Sequence, residues 1–213
     1  MSSMEGRNGV SLTNRRRLVL GTRNKNKIDE LRKILADAGV DVELLSVEAF
    51  EDVPDVPETG VTFADNALLK ARAVAKATGL PAVADDSGLC VDALGGQPGV
   101  FSARWAGGHG DDKANLDLVL SQLADIPDDQ RGAHFACAAA LVLPSGQERV
   151  VEGKLDGTLT REPRGLNGFG YDPIFQPVGA TRTTAEMTPA EKNAISHRGQ
   201  AFRALALEVA DLV

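Results

Sequence analysis

The segment Ala82-Val83-Ala84-Asp85-Asp86-Ser87-Gly88 constrains this chain more than any other. Its apolar start reads as a short buried strand, and Ser87-Gly88 as the turn that stops it. Adjacent strand residues point to opposite faces, so with both faces covered Asp85 and Asp86 are not both idle surface charges. Proteins of the α/β class place metal ligands and general bases at the carboxyl ends of buried strands. The plainer alternative is an Asx-turn that ends the strand and does nothing more.

Around this segment the pattern alternates between strand and helix. Leu18 to Gly21 reads as a strand, followed from about Lys25 by a helix with Ile28, Leu31, Leu35 and Ala38 on one face and Gly39 as its stop. Val42 to Leu45 is a second strand, and an acidic loop then passes through Pro54 and Pro57. Thr62 caps the next helix, with Asp65 completing a short-armed capping box, and that helix ends at Gly79. Residues 94 to 110 are glycine-rich and irregular. A third helix is expected over Asp111 to Ala124, facing Leu116, Val119, Leu120 and Leu123 inward. Pro144-Ser145-Gly146 joins strands at Ala133–Leu143 and Glu148–Lys154 into a hairpin. A glycine-rich loop spans Arg164 to Tyr171, and a last helix starts near His197 and buries Phe202, Leu205, Val209 and Leu212. No repeat or linker interrupts residues 17–213, which read as one mixed α/β domain in three layers. Residues 1–16 are polar and aperiodic, and are expected to form a disordered extension.

Composition narrows the function classes. The 213 residues suffice for a sizeable core, and 43% hydrophobic with 25% charged residues is ordinary for a soluble globular protein. A formal charge of −7 argues against broad binding to nucleic acid but leaves room for a local basic pocket. The longest apolar run, Phe135 to Leu143, is too short to span a bilayer. No secretory signal is visible, and Cys90 and Cys137 lack metal-ligand spacing and are expected to be reduced and buried, so a cytoplasmic protein is expected.

Several groups of residues have the chemistry of a site. Thr22-Arg23-Asn24-Lys25-Asn26-Lys27 joins a strand to a helix start, where backbone N–H groups and the positive helix end converge. Lys25 and Lys27 oppose the macrodipole there, a cost that a bound triphosphate relieves; the plain alternative is capping by Asn24 beside solvated lysines. The glycines and Gly-Lys-Ser/Thr ending of a Walker loop are absent. Glu58 precedes the second helix, on which Asn66 and Lys70 share a face. Glu58 and the Asp pair offer hard oxygen ligands suited to Mg²⁺, and histidine is too scarce for a zinc site. Gly168-Phe169-Gly170-Tyr171-Asp172 sets aromatic rings between glycines, either as a stacking platform for a nucleobase or as anchors pinning the loop to the core. His197 and Arg198 open the last helix, with Lys192 upstream, and are donors suited to a base carbonyl or simply a polar helix start.

Taken together and in this order, these motifs resemble the inosine triphosphate pyrophosphatase family, along with Pro98-Gly99-Val100-Phe101-Ser102-Ala103-Arg104. The likeness runs from about Leu18 to Leu212. It implies an elongated mixed sheet flanked by helices, two lobes with substrate in the cleft between them, and a homodimer. It also implies hydrolysis of non-standard purine nucleoside triphosphates, the inosine, deoxyinosine and xanthosine forms, to monophosphate and pyrophosphate. By the resemblance, Thr22 to Lys27 and Lys70 hold the triphosphate, and Glu58 and Asp86 bind Mg²⁺. Asp86 also acts as base toward water and Ser87 touches substrate. Phe169, Gly170, Tyr171, Asp172, Lys192, His197 and Arg198 line the base pocket. One position departs: the family commonly carries glycine where Arg23 stands. A donor such as Arg198 bonds to a 6-carbonyl oxygen and is left unpaired against the 6-amino group of adenine, a mismatch worth about 10⁴-fold in kcat/KM. Rival readings are a nucleotide sensor that does not hydrolyse and a general triphosphatase that releases phosphate. The presence of both Glu58 and Asp86 disfavours the sensor.

Overall fold

The computed structural model describes residues 16–108 and 110–213. The expected extension therefore lies outside the described residues, save its last residue, Arg16, which already belongs to the first strand. Six strands form one mixed sheet: β1 (Arg16–Leu20), β2 (Val42–Ser46), β3 (Ala82–Val91), β4 (Gly132–Val142), β5 (Glu148–Leu159) and β6 (Phe175–Pro177). Their spatial order is β2-β1-β3-β4-β5-β6. β1 runs parallel to β2 and β3, and the remaining pairs are antiparallel.

Helices cover both faces, as the continuous burial of the central strands requires. On one face α1 (Lys25–Asp37) and α5 (His197–Leu212) pack on Leu18, Leu20, Val83, Ala139 and Leu141. On the other, α2 (Phe63–Thr78) packs on Val19, Ala82, Ala84, Ala138 and Ala140. Small residues on that second face let α2 lie close to the sheet. A third cluster unites Leu89, Phe135 and Leu159 with α3 (Asp112–Gln122) and the segment around Tyr171 and Phe175. A short helix, α4 (Pro189–Ile195), precedes α5, whose N-cap Ser196 accepts from the Gly199 N–H at 3.0 Å.

Most local expectations hold. Thr62 and Asp65 form the capping box, Gly79 closes α2 in the left-handed conformation, and Gly39 follows α1 with φ of 71°. Phe202, Leu205 and Val209 are fully buried, while Leu212 is only partly so. Two expectations are corrected. Ser87-Gly88 does not end the strand: β3 continues for ten residues, because β4 pairs with it from Ala82 to Val91. Gly88 is there for close approach, since a Cβ would stand 2.5 Å from the Gly99 carbonyl oxygen. Both cysteines are free, yet only Cys137 is buried; Cys90 is half-exposed. Among the described residues no helix is long and apolar enough to cross a membrane.

Candidate active site

The two aspartates of β3 face opposite helical layers. Asp86 shares the face of Ala82 and Ala84 and points toward α2, while Asp85 shares the face of Val83 and points toward α1 and α5. Both sit in mid-strand, 3% and 9% exposed.

On the α2 side, Lys70 gathers the carboxylates. Its Nζ lies 2.7 Å from Glu58 Oε1 and 3.5 Å from Asp86 Oδ1. Asn66, with no exposed surface, donates to Asp86 Oδ2 at 2.9 Å and accepts from the Gly60 N–H at 2.8 Å. Gly60 has no alternative there: a Cβ would stand 2.7 Å from the Asn66 side-chain oxygen. The amide thus ties the loop that carries Glu58 to the strand that carries Asp86. Arg104 approaches Glu58 from another side, at 3.5 Å to Oε2 and 3.3 Å to its carbonyl oxygen. Burial pushes the Glu58 carboxyl up, but Lys70 and Arg104 outweigh it and hold the group below its ordinary value. For Asp86 burial wins over Lys70 and Asn66, and the carboxyl is raised, making it the stronger base of the two. Among the described residues no three His, Cys, Asp or Glu side chains group to hold a metal. Two convergent carboxylates fit Mg²⁺, which takes the rest of its shell from water and phosphate, and do not fit a closed structural site.

On the opposite face, Asp85 holds two cations from different helices. Lys27 Nζ lies 3.0 and 2.8 Å from its two oxygens, and Arg198 Nε lies 3.3 Å from Oδ2. Burial works against the Asp85 charge, yet Lys27 and Arg198 outweigh it and hold the carboxyl far below the usual range. Arg198 also donates to Ser87 Oγ at 3.3 Å, so Ser87 faces this cluster. Glycine at position 153 lets α5 start here, because a Cβ would collide with the His197 carbonyl and stand 2.7 Å from the Ala201 nitrogen. His197 is buried and stacked on Phe135, with ring centroids 4.9 Å apart, and its Nδ1 has no hydrogen-bond partner among the described residues. Burial, with Arg198 and Lys192 nearby, lowers it to about 3, so it is neutral at physiological pH. Glu30, one turn along α1 from Lys27, faces the same cations; burial raises its carboxyl.

The loop from Arg164 to Tyr171 wraps around Asp172. That buried carboxylate accepts from the Phe169 N–H at 2.8 Å and Thr184 Oγ1 at 2.8 Å, and pairs with Lys192. Gly168, with φ of 76°, leaves the space that the Asp172 carboxylate fills. Gly170 donates its N–H to Asp112 at 2.9 Å. The loop presents Phe169 outward, 57% exposed, with Lys192 Nζ 5.0 Å and Arg198 Cζ 5.7 Å from the ring centroid. Tyr171 does the reverse. Its ring is buried in the third cluster and its hydroxyl donates to the Ser102 carbonyl at 2.8 Å, so its ring anchors the loop and does not offer a stacking face.

A cavity of about 650 Å³ is lined by Thr22, Arg23, Lys27, Lys70 and Arg104 together with Asp55, Glu58 and Asp85, while Asp86 and the expected base-pocket residues Phe169, Lys192, His197 and Arg198 lie outside that lining. Thr22 Oγ1 accepts from the Asn24 N–H at 3.1 Å. Lys25 is exposed at the start of α1, and Asn26 follows it in the first turn. Arg23 pairs with Asp55 of the acidic loop at the cavity wall, so the side chain that replaces the family's glycine is engaged with its own protein. Asp85, Asn66 and Arg104 stand out in the sequence but carry no assigned role there; the structure makes each a contributor. Arg104 ends the Pro98–Arg104 motif, Asn66 shares a helix face with Lys70, and Asp85 stands beside Asp86; these were the signals available.

A mixed sheet that brings carboxylates and four cations to the wall of one cavity defines a protein with the charges to hold an anionic ligand. The chain belongs to the Ham1 family, whose pattern matches residues 18–208. It is 70% identical over 197 residues to the dITP/XTP pyrophosphatase of Streptomyces coelicolor, covering 92% of this chain and 98% of that one. Among solved structures it resembles the nucleoside-triphosphatase (dITP/XTP pyrophosphatase) of Mycobacterium abscessus, at 57% identity and a TM-score of 0.77, covering 89% of this chain and 97% of that one. A HAM1 protein from Coxiella burnetii aligns with a TM-score of 0.85 at 44% identity, covering 92% and 99% of the two chains.

Proposed function

We propose that this protein hydrolyses non-standard purine nucleoside triphosphates, the inosine, deoxyinosine and xanthosine forms, to the monophosphate and pyrophosphate. The observation that carries the reading is the convergence of Glu58 and Asp86 on Lys70 beside a cationic cavity. The naming of close relatives as dITP/XTP pyrophosphatases supports it.

In this reading Thr22 to Lys27 and Lys70 hold the triphosphate, and Arg104 adds a cation on the same wall. Glu58 and Asp86 are the ligands for Mg²⁺, which supplies charge neutralisation at the phosphates when bound. Asp86 takes the proton from the attacking water. Asn66 bonds its Oδ2 at 2.9 Å and Lys70 stands 3.5 Å from its Oδ1, and the two orient the carboxylate for that transfer. Phe169 stacks on the base, and Arg198 with Lys192 donates to the 6-carbonyl. Gly170, Asp172 and His197 shape that pocket from behind, and Ser87 steadies Arg198. The substrate lies in a cleft between two lobes of the domain. The reading extends to a homodimer in the cytoplasm, supported by the family resemblance and by free cysteines.

The test measures pyrophosphate and phosphate release from inosine, xanthosine, guanosine and adenosine triphosphates, with Mg²⁺ and with chelator. Pyrophosphate should appear from the inosine and xanthosine substrates and only with metal. Asp86→Asn should lower turnover about 10²- to 10⁴-fold while keeping the fold. Release of phosphate instead, or hydrolysis indifferent to chelator, would overturn the reading.

A further inference from the structure

Asp85 is one carboxylate shared by two cations with different tasks. Its side chain is 1% exposed, is engaged by both cations and stands at the cavity wall. Lys27 comes from α1 and meets both oxygens; Arg198 comes from the first turn of α5 and meets Oδ2 through Nε. Nε is the one guanidinium nitrogen next to the aliphatic stem, so pairing there orients the plane while the terminal nitrogens stay available to other acceptors. One of those already reaches Ser87 Oγ, and the guanidinium lies over the Phe169 ring. Lys27 at the same time lines the cavity on its cationic side. Long flexible cations lose rotamer entropy when a ligand orders them, and a buried counter-ion makes that ordering part of folding.

We propose that Asp85 is a positioning residue with two clients: through Lys27 it sets the cation presented to the phosphates, and through Arg198 the donors presented to the base. This rests on the assignment of those two ends under the proposed function and deepens it. Asp86 faces the other side of β3, toward Asn66 and Lys70, so in this proposal Asp85 positions cations and is not a metal ligand. One deletion on this carboxylate should therefore damage both ends of the ligand at once and leave the metal untouched.

The test uses the full chain and binding rather than turnover, so that absence of hydrolysis would count against the proposed function alone. Calorimetry measures tripolyphosphate for the phosphate end, and inosine monophosphate against adenosine monophosphate for the base end. The isosteric Asp85→Asn should lower tripolyphosphate affinity and narrow the inosine-to-adenosine preference, each about tenfold or more, the scale of a lost charge-assisted contact. The Mg²⁺ concentration dependence should stay as in the wild type. Loss at only one end, or a shifted Mg²⁺ dependence, overturns the proposal. Asp85→Asn leaves two buried cations without their counter-ion, and where it does not fold, Lys27→Gln removes one of them. Adding Asp85→Asn to Lys27→Gln should then narrow base preference further without changing tripolyphosphate affinity. An unchanged base preference in that double variant also overturns the proposal.

Discussion

Asn66 holds Asp86 by donating its side-chain amide to Oδ2 across 2.9 Å, from a position with no solvent exposure. The same side chain accepts from the Gly60 N–H, two residues after Glu58. One amide thus ties the loop that carries Glu58 to the strand that carries Asp86. Asn66→Ala should leave Asp86 under-bonded and reduce kcat about 10- to 100-fold, the range for a hydrogen bond to a charged group. KM should change much less, because the phosphate cations stay in place. Steady-state kinetics on inosine triphosphate checks this; a raised KM with unchanged kcat would place Asn66 in substrate binding instead.

Gly153 is the point where α5 rests on the sheet. A methyl group there meets backbone, not a flexible side chain, so Gly153→Ala should cost about 1–3 kcal/mol by overpacking. Moving the helix start also moves Arg198 away from Asp85. Lower thermal stability together with a narrowed inosine-to-adenosine ratio is the expected pair of effects. A variant that melts lower yet keeps its selectivity would separate the helix seat from Arg198 placement.

Protonation of His197 gives a pH window of its own. The imidazole drops from its ordinary 6.5 to about 3, through burial first and then Arg198 and Lys192, with Asp85 opposing. The unfolded chain therefore binds a proton that the native state refuses. The stabilisation is complete above about pH 6.5 and is lost progressively as pH falls toward 3. His197→Phe keeps the stacking on Phe135 and removes the titration. Denaturant unfolding of both proteins from pH 7 to pH 4 should show the wild type losing stability faster. Parallel curves would remove His197 from the acid response.

Phe169 and Arg198 sit together but should fail differently. Stacking serves any base and is worth about 1–3 kcal/mol, so Phe169→Ala should weaken inosine and adenosine triphosphates by similar factors. Arg198→Ala removes donors that only a 6-carbonyl accepts, so it should lower kcat/KM for inosine triphosphate far more than for adenosine triphosphate. Four kcat/KM values against wild type decide it. An unchanged ratio in Arg198→Ala would move base selectivity to other residues.

Much of this protein is written locally. Thr62 with Asp65, Gly39 and Gly79 mark helix ends through bonds within a few residues, and unbroken apolar runs in β1, β3 and β4 mark strands buried on both faces. Thr22, Lys27 and Glu58 of the cavity were legible for the same reason, since each stands at or near an element end marked by its neighbours, whereas Lys70 and Asp85 lie inside their elements. Tertiary structure alone decided that Ser87-Gly88 continue the strand, because only pairing with β4 and the approach of Gly99 explain that glycine. It alone decided that of two loop aromatics Phe169 faces out and Tyr171 in, since the hydroxyl of Tyr171 finds Ser102, which is 69 positions away. The division of labour between Asp85 and Asp86 is of the same kind. Strand alternation separates them, but their partners are chosen by which helix packs on which face. Arg198, 113 positions from Asp85, reaches it because α5 crosses the sheet at Gly153. Periodicity records which side a residue takes; what meets it there is a long-range packing outcome that no local pattern carries.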